Sequence, residues 1–274
     1  MAEIRDNAAK LAFIGTGNMG VALARAARKS LPPENLLLAN RTREKAEALA
    51  QELGGCAVVS NIQAAEEADC LFLGVKPQMM EALLTETAPA LAARKERFLL
   101  VTMAAGLTIR RIQELAGGPY PVIRVMPNTP AAIGEGMILY ASSPEVQPEE
   151  TEAFLRLMAG AGRFSPLPEH LIDAGSAVSG CGPAFADLFL EALADGGVAC
   201  GLPRDQALEL AAQMLAGTAR LALETHRHPG ALKDAVCSPG GTTIQGVRAL
   251  ERGGFRSAVM EAVIAAYEKT LAMR

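Results

Sequence analysis

The sequence predicts an α/β protein: an N-terminal doubly wound domain over residues 1–165, followed by an all-helical C-terminal domain over 166–274. Three observations predict it. Short apolar runs alternate with helical patterns through the first 165 residues, as in a sheet covered on both faces. A glycine-rich turn, Gly15-Thr16-Gly17-Asn18-Met19-Gly20, sits between the first apolar run and the first helical one. Beyond about Glu169 strand signals stop, and long helical patterns run between breakers such as Gly182-Pro183, Gly201-Leu202-Pro203, Pro229-Gly230 and Gly253-Gly254.

Taken in order, Leu11–Ile14 reads as the first strand and Asn18–Lys29 as the first helix. Leu36–Ala39 is a second strand, with a helix running to Leu53. Ala57–Val59 and Leu71–Val75 are strands on either side of a short helix near Ile62–Glu67. Met79–Ala92 is helical, Phe98–Met103 a strand and Ile109–Leu115 a helix. Val122–Val125 and Met137–Tyr140 complete the strands, and the turn residues of Gly162–Pro168 mark the domain boundary. Continuous apolar strands separated by helices imply a parallel sheet.

Composition narrows the function. Half of the 274 residues are hydrophobic, aromatics are 4% and Trp is absent, so Ala, Leu, Val and Met must fill the core. A net charge of −4 without a basic block argues against nucleic acid or an anionic membrane as partner. Cys56, Cys70, Cys181, Cys200 and Cys237 form no C-x-x-C pair, which fits a reduced protein. The segment Met1–Asp6 has no apolar core of a signal peptide, and no uninterrupted apolar run approaches a spanning helix. The expectation is a soluble, cytoplasmic protein.

The glycine turn follows a strand and opens a helix, the context a dinucleotide needs. Gly15 makes the tight turn, Gly17 admits the pyrophosphate and Gly20 lets the helix pack on the sheet. Where an NAD-specific site places an acid for the ribose hydroxyls, this chain has Asn40-Arg41-Thr42-Arg43. Cations without a carboxylate favour NADPH, with NADH possible but less favoured. Val75-Lys76-Pro77 and Ala104-Ala105-Gly106 end two further strands, where ligands of open sheets bind. Lys76 reads equally as general acid, phosphate contact or surface charge.

A second candidate site is Ser238-Pro239-Gly240-Gly241-Thr242-Thr243. Two glycines free the backbone, and two threonines open a helix whose apolar positions are Ile244, Val247 and Leu250. Amides at a helix start hold an anion, and hydroxyls add directed hydrogen bonds. A cofactor motif at one end and an acid-binding loop at the other suggest a two-substrate enzyme.

These segments together resemble pyrroline-5-carboxylate reductase over nearly the whole chain. Besides the glycine turn, the resemblance is carried by Arg124-Val-Met-Pro-Asn-Thr-Pro130, Ser179-Gly-Cys-Gly-Pro-Ala184, Leu232–Ile244 and Gly253–Ser257. It implies a Rossmann domain followed by a helical dimerisation domain, a homo-oligomer of at least two chains, and reduction of a cyclic imino acid by NADPH. It further implies that the Ser238–Thr242 loop holds the substrate carboxylate and that Thr243 hydrogen-bonds the ring nitrogen. Asn61 would contact the cofactor ribose, and the Val75–Pro77 and Ala104–Gly106 turns would line the nicotinamide side. Ala235 stands where relatives often have Asn, and Cys181 and Cys237 where Ser is common.

No His, Asp or Glu constellation presents a mandatory acid, which suits a substrate that arrives protonated. Thr243 is then the catalytic candidate, as hydrogen-bond partner to nitrogen. Ser179–Pro183 reads either as small groups beside substrate or as a helix break. Arg124 and Asn128 read as loop positioners or as a structural network, and Met79-Met80 as core. His226 and His228 lack the further ligands of a metal site. Two alternatives compete. One is another NADP-dependent reductase of the same two-part plan, an imine reductase or a β-hydroxyacid dehydrogenase; the dehydrogenase would need a Lys on the helix near Ala184–Ala199, which has none. A non-catalytic NADP sensor would not require the Ser238–Thr243 loop.

Overall fold

The computed structural model describes residues 9–272; the expectation for Met1–Asp6 lies outside them. The chain starts with β1 (Leu11–Ile14), α1 (Asn18–Arg28), β2 (Leu36–Ala39), α2 (Arg43–Glu52), β3 (Ala57–Val58), α3 (Asn61–Glu67) and β4 (Cys70–Leu73). It continues through α4 (Met80–Ala93), β5 (Leu99–Thr102), α5 (Ile109–Ala116), β6 (Val122–Met126), β7 (Gly136–Ser142), α6 (Pro148–Met158) and β8 (Gly162–Pro166). Six helices follow: α7 (Ile172–Ser179), α8 (Gly182–Ala199), α9 (Arg204–Thr225), α10 (Pro229–Ala235), α11 (Thr242–Arg252) and α12 (Phe255–Leu271).

The strands form one eight-stranded sheet in the order β3-β2-β1-β4-β5-β6-β7-β8. The order reverses at β1, which pairs in parallel with both β2 and β4, so a crevice opens beyond their carboxyl ends. Residues on alternate faces of β1 feed two cores. Leu11 and Phe13 pack with α1 and α6 residues, and Ala12 and Ile14 pack with α3 and α4 residues. Phe13 stacks on Phe72 at 4.3 Å between ring centroids, and Phe72 meets Phe154 of α6. Strands fully buried on both faces explain the unbroken apolar runs LAFI, LLLA and CLFL.

The sheet departs from the all-parallel expectation at its far edge. β7 runs antiparallel to β6, because the short link from Pro127 to Glu135 has no room for a crossover helix. β8 pairs in parallel with β7 through the segment expected to be a turn. Gly162 and Pro166 hide this strand from sequence pattern. An edge strand tolerates both residues, because one side of its ladder is unpaired.

By contact the chain divides into two compact units. The first holds the described residues up to Gly180 and those from Tyr267 onward; the second spans Cys181–Ala266. In the first unit the buried Arg124 of β6 pairs with the buried Asp173 of α7. Glu169 lies 3.5 Å from the same guanidinium and accepts from the Ile109 amide at 2.6 Å. Asn128 accepts from the Met137 amide and donates to the Ser179 carbonyl, each at 2.9 Å. Arg124 thus ties β6 to α7, and Asn128 ties β7 to the end of α7.

The second unit is helical. Among its described residues only Ala194, Ala207 and Ala211 are buried, while Leu188, Leu223, Val236 and Met260 are more than half exposed. One helical stretch, Glu169–Ala199, is long and apolar enough to cross a membrane by length and composition, with mean hydropathy 1.2. The sequence expectation contained no such run. Asp173, Asp187, Glu191 and Asp195 interrupt it in sequence, so that it holds no uninterrupted apolar run of that length.

Candidate active site

The glycine turn is built by close backbone approach. Gly15 adopts φ +97°, and a Cβ there would lie 2.7 Å from the Gly74 carbonyl group after β4. A Cβ on Gly20 would meet the Gly15 oxygen at 2.1 Å, so α1 can seat against the turn only with glycine there. A Cβ on Gly17 would meet nothing within 4 Å: the side facing outward is open. No side chain caps α1 at Gly17, leaving its first amides to an anion. Thr16 amide donates to Asn40 Oδ1 at 3.2 Å, while the buried Thr16 hydroxyl has no partner. An open glycine, an uncapped helix start and an orphaned hydroxyl fit a pyrophosphate.

A cavity of about 410 Å³ extends from this turn. It gathers Gly15, Gly17, Asn40, Arg41, Asn61, Val75 and Lys76, all expected from sequence. Arg43 is instead occupied by Glu47 one helical turn on, at 2.7 Å, because α2 begins at Arg43 and places them on one face. Arg41 is left as the cation at the second strand's end. Thr42 is the exposed N-cap of α2, and its carbonyl accepts from Asn40 Nδ2 at 2.9 Å. Asn18 and Met19 form the first turn of α1, and Pro77 opens the short turn after Lys76. Ala104, Ala105 and Gly106 follow β5 and do not line this cavity; Gly106 turns the chain at φ +76°.

Sequence reasoning missed the wall contributed by Met79, the N-cap of α4, and by Ala82, Leu83 and Glu86 within it. Met80 is core, as expected, but its neighbour Met79 is 42% exposed and faces the cavity. Successive residues at a helix start point about 100° apart, so only one of the pair can enter the core. Glu86 accepts from Asn61 Nδ2 at 2.9 Å. The spacing 79, 82, 83, 86 was the available signal, a second helical face beside the buried one at Met80, Leu83, Leu84 and Thr87.

In the second unit, Ser238–Gly241 forms a turn closed by the Gly241 amide donating to the Ser238 carbonyl at 3.0 Å. Gly240 takes φ +68°, and Gly241 is the N-cap of α11 without a side-chain cap. Thr242 and Thr243 are exposed in its first turn. With the Gly241 amide committed to the turn, the uncapped amides are those of the first turn of α11, beside two exposed hydroxyls. Cys237 is a free thiol beside it. Among the described residues no His, Cys, Asp or Glu cluster could hold a metal.

A doubly wound sheet with this glycine turn at its reversal point defines a dinucleotide-binding protein of the Rossmann type. Residues 10–106 match a family model described as NADP oxidoreductase, coenzyme F420-dependent, and residues 169–273 match pyrroline-5-carboxylate reductase dimerisation. The chain is 41% identical to pyrroline-5-carboxylate reductase of Glycine max, covering 95% of this chain and 94% of that one. It is 40% identical to that of Escherichia coli, covering 95% and 97%. A pyrroline carboxylate reductase of Plasmodium falciparum, solved with NADP bound, superposes with a TM-score of 0.86 at 32% identity, covering 97% and 98%. The chain belongs to the pyrroline-5-carboxylate reductase family.

Proposed function

We propose that the protein reduces 1-pyrroline-5-carboxylate to L-proline with NADPH, the last step of proline synthesis. The observation that carries this is the joint presence of the open glycine turn and the uncapped, threonine-bearing start of α11 in a chain of this family. When bound, NADPH supplies the hydride to the cyclic C=N carbon. The chain's own residues bind, orient and polarise. The amides of Asn18, Met19 and Gly20 meet the pyrophosphate at the start of α1, beside the Gly15-Thr16-Gly17 turn. Asn40, Arg41 and Thr42 receive the phosphorylated ribose, where no carboxylate opposes the charge. Asn61 contributes a ribose contact, and Val75, Lys76, Pro77, Ala104, Ala105 and Gly106 support the nicotinamide half.

The Ser238, Gly240, Gly241 and Thr242 backbone holds the substrate carboxylate, and the Thr243 hydroxyl hydrogen-bonds the ring nitrogen. Positioning both reactants supplies most of the acceleration. Residues 1–165 act as the NADP-binding domain and 166–274 as the dimerisation and substrate-binding domain of a homodimer. The exposed leucines of the helical unit support this, because a surface that apolar is covered in a stable protein. All five cysteines are free thiols, in keeping with the cytoplasm. Oxidation of NADPH, followed at 340 nm with pyrroline-5-carboxylate and proline as the identified product, tests the reading. A folded oligomer that binds NADPH and leaves it unoxidised would overturn it. Faster turnover with NADH at subsaturating cofactor would overturn the assignment to Arg41.

A further inference from the structure

Among the described residues Glu86 is the one carboxylate lining the cavity, and nothing in a dinucleotide's phosphates calls for it. The cavity is lined by the glycine turn, by Arg41, by Val75 and Lys76 after β4 and by one face of α4, and the Ala104–Gly106 turn is not part of it. With the pyrophosphate at the glycine turn, the phosphorylated ribose at Arg41 and the nicotinamide half toward Val75 and Lys76, the part of this cavity walled by Arg41, Asn61 and α4 is left for the adenosine. Met79, Ala82 and Leu83 give it an apolar wall of the kind a purine face needs. Glu86 sits one turn further along α4 and accepts from Asn61 Nδ2 at 2.9 Å.

A carboxylate only accepts hydrogen bonds, so this contact fixes the amide of Asn61 with its nitrogen toward Glu86. That end of the cavity therefore offers acceptors: Asn61 Oδ1 and the carboxylate oxygen of Glu86 not bound to Asn61. We propose that Glu86 reads the adenine of NADPH, one oxygen holding Asn61 and the other accepting from the exocyclic amine of the base. The inference rests on the cofactor assignment above. It makes Glu86 a specificity residue for adenine over a base that presents a carbonyl at the same place.

The hypoxanthine analogue of NADPH tests this, since it replaces the amine by an oxygen. Affinities for both dinucleotides are measured by fluorescence titration of the whole protein without substrate, alongside thermal unfolding of each variant. The native protein is expected to prefer NADPH about fivefold or more, the worth of one hydrogen bond against one mismatch. Glu86→Ala should remove the preference. Glu86→Gln should reverse it: its Oε1 still accepts from Asn61, so its Nε2 donor faces the base and suits the hypoxanthine oxygen. A native protein that binds both equally, or a Glu86→Gln variant with the native ratio, would overturn the proposal. A native protein that binds neither dinucleotide would instead overturn the cofactor assignment on which it rests.

Discussion

The two units of this chain solve burial in opposite ways. The N-terminal unit closes its own cores: Phe13, Phe72, Leu38 and Val101 are essentially inaccessible, and even Arg124 is buried with an acid beside it. The helical unit between Cys181 and Ala266 leaves Leu188 at 67% and Leu223 at 59% exposure and buries three alanines. A sheet with helices on both faces satisfies itself within one chain. A few amphipathic helices with only small residues at their contacts do not, and need a second surface. The first unit carries the glycine turn and its cavity on a self-sufficient scaffold, while the second exposes an apolar surface, in keeping with its match to a dimerisation family.

The largest effect expected from breaking this contrast lies in the first unit. Asp173→Ala leaves Arg124 buried with Glu169 alone, at 3.5 Å. Removing one partner of a buried pair costs about 3–5 kcal/mol. Thermal unfolding at fixed protein concentration should show the N-terminal unit losing stability; an unchanged midpoint would remove the pair from the fold's support.

Next comes the helical unit. Leu188→Asp should weaken self-association by about 2 kcal/mol or more, as a buried anchor does, read by sedimentation across a dilution series. Ile133→Asp in the first unit is the control: it alters a residue 77% exposed on a self-sufficient unit and should move stability by no more than about 0.5 kcal/mol. Equal effects of the two substitutions would erase the distinction between the units.

Thr243→Ala separates the units by function. Loss of one hydrogen bond to a charged nitrogen, about 1.5–3 kcal/mol, should lower kcat by roughly tenfold to a hundredfold. NADPH affinity, set in the other unit, should stay native. Full activity in this variant would remove Thr243 from the reaction.

The smallest effect is electrostatic. The Arg25 guanidinium, hydrogen-bonded to Glu52, holds its carboxyl below the ordinary value of 4.5. A lowered folded value contributes stability that is present above pH 4.5 and is lost as pH falls through the lowered value. The pair is exposed, so solvent screening keeps this under about 1 kcal/mol. Glu52→Gln should flatten the acid limb of the stability curve by that amount, and an identical curve would assign the pair no role.

Much of the fold was legible because buried parallel strands write themselves as apolar runs. β1, β2 and the core of β4 to β7 appear in the sequence within a residue or two. β8 was not legible, since Gly162 and Pro166 are breakers that only an unpaired edge tolerates. The helix Pro148–Met158 lay in a stretch where no element was expected. At the site, the glycine turn and the Asn40-Arg41 strand end were readable because their chemistry is local. Glu86 was not, because its meaning comes from Asn61, which is distant in sequence and adjacent in space.

Sequence alone determined the alternation of strands and helices as far as Tyr140, the glycine turn and the threonine-bearing helix start, since each rests on backbone freedom and periodicity within a few residues. It also determined the family, through motifs in a fixed order. Tertiary structure decided which cations remain free: Arg41 lines the cavity while Arg43 is held by Glu47. It decided that Met79 faces the cavity while Met80 fills the core, and that an acid, Glu86, lines the same cavity. Those outcomes depend on which side chains meet across the fold, and hydrogen bonds and burial between distant residues leave no period or spacing in the chain.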